Sequence, residues 1–305
     1  MKTTCLEIPE LRDMTKSEEI TYGWSYDEKY KVETGDGKRY LLRLAPAEKL
    51  ESKKKEHEIV SIFNTLDFEM SRVVRSGILK DKAYILYKWV DGEDLKNIIT
   101  SLSETEQFEL GIRAGKILNG IHSLPVQERH IPETNKIPKK IRQLKQYEKS
   151  DIRIKNDEAI INYVKENLHL MCSTPPAYKH GDFHMGNLLY TPSGDVGVID
   201  FQRSGCGDGF EEFYKLQHFD VSLSIPFAIG YLKGYFNGEP TEDFWRINSV
   251  YVAHASLYSI VWALPFGEKE VLGMREIALK NIDDFDGFTR IVPKWYRENK
   301  KKWEI

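Results

Sequence analysis

HGDFHMGNLLYTPSGDVGVIDFQRSGCGD, residues 180 to 208, gathers histidines, aspartates, an asparagine and a glycine-rich tail around one short hairpin. Leu188-Leu189-Tyr190 reads as a strand, Thr191-Pro192-Ser193-Gly194-Asp195 as a turn, and Val196 to Phe201 as the return strand. A hairpin fixes register, so Asp182 and Asn187, ahead of the first strand, are expected near Asp200 at the end of the second. Three polar groups at one end of an apolar ribbon suit a divalent metal and a reacting hydroxyl.

The spacing narrows the chemistry. Asn187 stands five residues after Asp182, and Asp200 eighteen after it, inside Ile199-Asp200-Phe201. Phosphoryl transfer in kinases uses an Asp to orient the attacking hydroxyl, an Asn for Mg²⁺ and a second Asp that also binds Mg²⁺. His180-Gly181-Asp182 with Asn five residues on resembles the kinase catalytic loop with Gly in the Arg place. This is the form found in the aminoglycoside phosphotransferase family and its choline, homoserine and macrolide kinase relatives. A short motif by itself also fits a buried Asp–His network in a β-turn. The second Asp at a kinase-like distance favours the kinase.

The resemblance implies specific roles. Asp182 is expected to be the catalytic residue, and Asn187 and Asp200 to hold Mg²⁺ beneath ATP or GTP. Gly207-Asp208 matches a family Gly-Asp whose carboxylate braces the catalytic loop, and Glu211 and Glu212 stand near the place of a structural Asp. The implied fold is α+β, two-lobed and protein-kinase-like. Residues 1–90 would form a nucleotide-binding lobe of antiparallel sheet with one helix. Residues 91–305 would form a larger helical lobe with the catalytic loop and substrate site.

Composition fits that scale. A chain of 305 residues can build two lobes. A net charge of −3 with 30% charged residues argues against a general nucleic-acid binder. The lysine runs at 53–55 and 300–302 read as solvated faces. No stretch approaches the roughly 18 apolar residues of a membrane span, and residues 1–20 are too polar for a signal peptide. Cys5, Cys172 and Cys206 form no metal or disulfide pattern, which fits a cytoplasmic enzyme.

Upstream, Ile20-Thr21-Tyr22, Lys29 to Glu33 and Arg39 to Leu44 read as three strands, the last two joined by a Gly35-Asp36-Gly37 turn. Gly23 allows close backbone approach and Ser25 could offer its NH and hydroxyl to a phosphate, though a plain hairpin turn fits equally. Arg43 occupies the place where the resemblance expects a phosphate-binding Lys. Arg keeps the charge and binds phosphate or carboxylate bidentately, with a different reach; a surface arginine is the simpler alternative. Lys53 to Leu66 reads as a helix with Ile59, Ile62, Phe63 and Leu66 on one face and a solvated KKKEHE turn. Its Glu56, or else Glu58, is the expected partner of Arg43. Val73 to Ile78 and Ala83 to Trp89 read as strands leading to a hinge near Asp91-Gly92-Glu93, where the resemblance places adenine, hydrogen-bonded to backbone groups, with Tyr87 as a nucleotide-site candidate; Tyr87 and Trp89 fit ordinary strand residues equally.

From Ser103 the pattern turns helical. Ser103 and Glu106 make a capping box, with Gly111, Gly115 and Gly120 inside the following helix. The resemblance gives His122, at its end, a structural place. Residues 138–170 read as two amphipathic helices, and 212–236 and 241–264 as apolar helical core. Together these features resemble a small-molecule kinase of the aminoglycoside phosphotransferase family, in which an acceptor hydroxyl attacks the nucleotide γ-phosphoryl in line. A polycationic aminoglycoside would need carboxylates, and Glu268, Glu270, Asp283, Asp284 and Asp286 are the candidates. Choline, homoserine, sugar and macrolide acceptors remain open, as does a nucleotide-binding pseudokinase, which Arg43 alone supports. A metallophosphoesterase fits poorly, because Glu211 replaces a needed Asp and no Asn-His pair occurs.

Overall fold

The computed structural model describes residues 7–21 and 27–303. The first elements are β1 (Met14–Glu19), β2 (Glu28–Thr34), β3 (Arg39–Pro46) and α1 (Leu50–Phe63). β4 (Glu69–Met70), β5 (Val73–Leu79), β6 (Lys82–Lys88) and β7 (Glu93–Asp94) follow. The helical part begins with α2 (Leu95–Ile98), α3 (Glu104–His122), α4 (Ile137–Glu148) and α5 (Glu158–Asn167). Next come β8 (Pro176–Lys179), β9 (Leu188–Tyr190), β10 (Val196–Val198) and β11 (Gly205–Asp208). A π-helical turn at Leu216–Asp220 precedes α6 (Ile225–Phe236), α7 (Glu242–Trp262), α8 (Glu268–Asp284) and α9 (Lys294–Asn299). No helix among the described residues is long and apolar enough to cross a membrane.

The chain divides into two units, Met1–Glu93 with Leu189–Gly205, and Asp94–Leu188 with Cys206–Ile305. The expected division at residue 90 placed all of the hairpin among the helices. By its packing Leu189–Gly205 groups with the sheet, where β10 runs parallel to β4, pairing Gly197 with Glu69 and Val198 with Met70.

In the first unit β1-β2-β3-β6-β5 form an antiparallel sheet. Period-two alternation sends Tyr30, Val32, Tyr40, Leu42, Leu44 and Leu86 into one apolar core. Arg43, paired in register with Lys29 and Ile85, therefore points to the opposite face. That face meets α1, whose Ile59, Val60 and Phe63 are fully buried. The first strand precedes the expected Ile20-Thr21-Tyr22, starting at Met14. The expected solvated turn of α1 is also corrected, since Lys53 and Glu56 are both buried. The return strand of the hairpin stops at Val198, because Asp200 adopts a left-handed conformation (φ 63°, ψ 63°) and a 3₁₀ turn follows.

In the second unit the Ser103–Glu106 capping box closes in both directions at the start of α3. α3 and α6 approach closely enough that a Cβ on Gly111 or Gly115 would stand 2.2 or 2.1 Å from the Phe227 or Tyr231 carbonyl oxygen. Gly230 and Gly234 answer from α6 in the same way, whereas Gly120 faces open space. A second core joins α4, α5, α7 and α8 through Leu144, Tyr147, Val164, Leu257 and Phe285. Residues 212–224, read as helical, are instead mainly 3₁₀ and π turns, which carry polar groups to the stretch from His180 to Met185.

Candidate active site

In the sheet unit, α1 and the strand face beneath it gather opposite charges. Arg43 is 2% exposed, which rules out a surface arginine. Its Nη1 donates to Asp200 Oδ1 at 2.8 Å, Nε to Asp27 Oδ2 at 3.2 Å, and Nη2 to Gln202. Burial works against the guanidinium charge, but the carboxylates of Asp200, Glu56 and Asp27 more than offset it and raise its proton affinity. Asp200 is thereby held in a conformation that non-glycine residues adopt at some cost in strain.

Glu56 lies near enough to act on the Arg43 charge, yet its own bonds go elsewhere. Lys53 Nζ donates to it at 3.2 Å and to Asp27 at 2.6 Å, and Tyr87 donates its hydroxyl at 2.5 Å. The Tyr87 side chain is buried against Glu56, as an ordinary strand residue of β6 would be. Gly23 and Ser25 lie outside the described residues. Lys53, Asp27 and Gln202 were not foreseen. The i,i+3 spacing of Lys53 and Glu56 was the one available signal.

In the helical unit, β8 delivers His180-Gly181-Asp182. Glu212, 2% exposed, accepts the His180 amide at 3.0 Å and the Gly181 amide at 2.6 Å. It also binds His122 Nε2 at 3.1 Å, and Tyr235 holds the other ring nitrogen at 2.8 Å, so His122 is structural. Burial pushes the Glu212 carboxyl up, but His122, His180 and Lys179 hold it below the ordinary range. The bracing role expected of Asp208 therefore belongs to Glu212. Asp208 instead ties down the segment before β8, accepting from the Cys172 amide, Thr174 and Tyr251.

Asn187 Nδ2 donates to the Asp182 carbonyl at 2.8 Å, closing the five-residue loop between them. With that amide nitrogen committed, Oδ1 is the atom left to act as a hard oxygen ligand. Lys215, also not foreseen, donates to Asp182 Oδ1. The acidic candidates for a cationic acceptor do not converge. Asp284 turns inward to Gln217 at 2.8 Å, while Asp286 pairs with Arg297 and Asp283 lies 3.9 Å from Lys294. α9 supplies the bases that the acidic run lacks.

A sheet with a buried Arg–Asp pair and a helical unit carrying a braced Gly-Asp turn define a kinase-like α+β phosphotransferase. The sequence matches the model of the Phosphotransferase enzyme family over residues 17–246, and the chain belongs to that family. No curated protein matches it. Its fold is similar to that of aminoglycoside 2′-phosphotransferase-IIIa, solved with GDP, at TM-score 0.68 and 15% identity over 92% of this chain and 96% of that one. It is similar to APH(2″)-IIa, solved with gentamicin, at TM-score 0.65 and 19% identity over 90% and 95%. It also resembles the amicoumacin kinase hAmiN, solved with AMP-PNP, Ca²⁺ and Ami, at TM-score 0.64 and 14% identity over 94% of each chain.

Arg43 gives a direct prediction. Arg43→Ala removes the cation that holds Asp200, and nucleotide affinity measured by calorimetry falls by about 10–100-fold, the loss of one or two charge-assisted hydrogen bonds. Arg43→Lys restores part of it. Unchanged affinity in Arg43→Ala would show that the pair serves packing alone.

Proposed function

We propose that this phosphotransferase moves the γ-phosphoryl group of ATP or GTP to a hydroxyl of a small molecule. The observation that carries the reading is the Asp182–Asn187 loop, braced by Glu212 at the His180 and Gly181 amides just before it and closed by the Asn187 side chain. Asp182 orients the acceptor hydroxyl and takes its proton. The sheet-bearing unit binds the nucleotide, with Lys29 and Arg43 neighbours across β2 and β3 as its cations. Asn187 and Asp200 offer the hard oxygens that suit Mg²⁺, which usually takes one or two carboxylates and completes its shell with phosphates and water. Mg²⁺ held by these oxygens would neutralise charge on the phosphates. Positioning and electrostatic stabilisation supply most of the rate.

The acceptor reading is an aminoglycoside, supported by the likeness of fold to kinases solved with such compounds. A second reading, a neutral or anionic alcohol, is favoured by the acidic run of α8, whose Asp283 and Asp286 face Lys294 and Arg297. The two separate in a coupled assay of MgATP and MgGTP consumption over kanamycin-type, gentamicin-type, macrolide, choline and amino-alcohol acceptors, with sugars added. Stimulation by aminoglycosides alone supports the first. Turnover only with a neutral or anionic acceptor replaces it with the second.

A further inference from the structure

The π-helical turn Leu216–Asp220 is the part of the helical unit that the proposed reaction has not used. π-turns are rare and concentrate at functional sites. This one is fastened from behind. Gln217 Nε2 donates to Asn281 and Asp284, and Trp295 Nε1 donates to Gln217 Oε1 at 2.7 Å. From its two ends it grips the catalytic loop. Asp220 Oδ1 accepts the Met185 amide at 3.0 Å, and Lys215, 5% exposed, donates from Nζ to Asp182 Oδ1. A buried lysine on the catalytic carboxylate is a costly arrangement unless its charge is variable or its bond is needed.

We propose that Lys215 is a positioning residue that fixes the rotation of the Asp182 carboxylate and, as the neutral amine, receives the proton that Asp182 takes from the acceptor. The proposal rests on the kinase reading and adds to it. In the reaction the acceptor O–H breaks as its oxygen bonds to the γ-phosphorus, and the bond from that phosphorus to the bridging oxygen breaks, releasing the nucleoside diphosphate. The proton goes first to Asp182 and then to Nζ, which becomes an ammonium and returns the proton to solvent after product leaves. Neutral lysine retains N–H groups for the bond to Asp182 and a lone pair for the proton.

The surroundings of Lys215 favour the amine. Burial and the ammonium groups of Lys179 on β8 and of Lys136 and Lys140 at the start of α4 lower it from 10.5 to about 7, and Asp220, itself raised to about 8 by burial, opposes them only where it is ionised. Those three lysines share the Glu211 carboxylate at 2.5–2.9 Å. Asp182 faces Lys215 from its own loop, and His184 Nε2 lies 3.7 Å from the same Asp182 Oδ1. His218, on the same turn, is lowered to about 4 by burial and stays neutral. The sign follows. Below about pH 7 Lys215 is an ammonium and cannot accept a proton, and above it the amine can, so turnover rises as pH passes through that value.

Two arms test this on the full chain. In the first, lysines carry carbon-13 at Cε and are titrated by NMR, with Lys215 identified by its loss in Lys215→Arg. Its midpoint is expected near 7, and Asp182→Asn, which removes the opposing charge, lowers it by about 1–3 pH units. A midpoint near 10.5, or one that ignores Asp182→Asn, overturns the proposal. In the second, MgATP and MgGTP consumption is followed against pH with the acceptor panel and with water alone. The wild-type rise through neutrality is expected to flatten in Lys215→Arg, and kcat to fall in Lys215→Met at unchanged nucleotide KM. A rise that persists in Lys215→Arg overturns the proposal and leaves the kinase reading standing. Asp182→Asn turning over like wild type defeats the kinase reading, and the proton role with it, whatever the NMR midpoint.

Discussion

Asp182→Ala lowers phosphoryl transfer by at least about 10²–10⁴-fold, the usual contribution of a general base, while nucleotide affinity is retained. The two outcomes separate because Asp182 belongs to the helical unit, whereas Arg43, Lys29 and Asp200 belong to the sheet-bearing unit. The Asp182 backbone position is set by the Glu212 brace and by the Asn187 bond to its carbonyl, neither of which uses its carboxylate. Truncation therefore removes the base and its bond to Lys215, while the backbone bonds keep the loop in place. The check is steady-state kinetics beside calorimetric titration with MgATP and MgGTP. Near-full turnover in the variant would mean that the loop has been assigned the wrong role.

Glu212→Ala produces the largest loss of stability. One buried carboxylate accepts two backbone amides and a histidine nitrogen, so its removal orphans three donors at once. Breaking a buried charged network costs about 3–5 kcal/mol, a large share of the roughly 5–15 kcal/mol that holds a domain folded. A denaturation midpoint measures it, and a midpoint within error of wild type would contradict the bracing role. Glu212→Gln keeps one acceptor and falls between. Because the folded carboxyl is held below its ordinary 4.5, its contribution is full above that value and is lost as pH falls through the lower folded one. Glu212→Gln therefore flattens the acid limb of the stability profile.

The local signals in the sequence were dependable where one element decides the outcome. The Ser103–Glu106 box needs only a helix start, and the Gly111 and Gly115 pair needs only one close neighbour. The five-residue spacing from Asp182 to Asn187 is closed by a single side chain. What escaped depends on residues far apart in the chain. KKKEHE looks solvated by any local measure, yet Asp27 draws Lys53 inward from another strand end. Tyr87 is aromatic in a strand, and only its bond to Glu56 reveals that it faces α1. Lys215 follows two glutamates and two aromatics in a segment that reads as plain helix. A π turn, which period-3.6 reasoning does not anticipate, aims it at an aspartate 33 residues earlier.

Transfer itself is the most direct test of the account. Wild type and Asp182→Asn are incubated with MgATP or MgGTP labelled in the γ-phosphoryl group and with each acceptor of the panel, and the acceptors are then analysed by mass spectrometry. The account predicts a labelled phosphoryl ester on one acceptor class with wild type, and its loss with Asp182→Asn. Label that never leaves the nucleotide for any acceptor, or that transfers equally well without the Asp182 carboxylate, would contradict it.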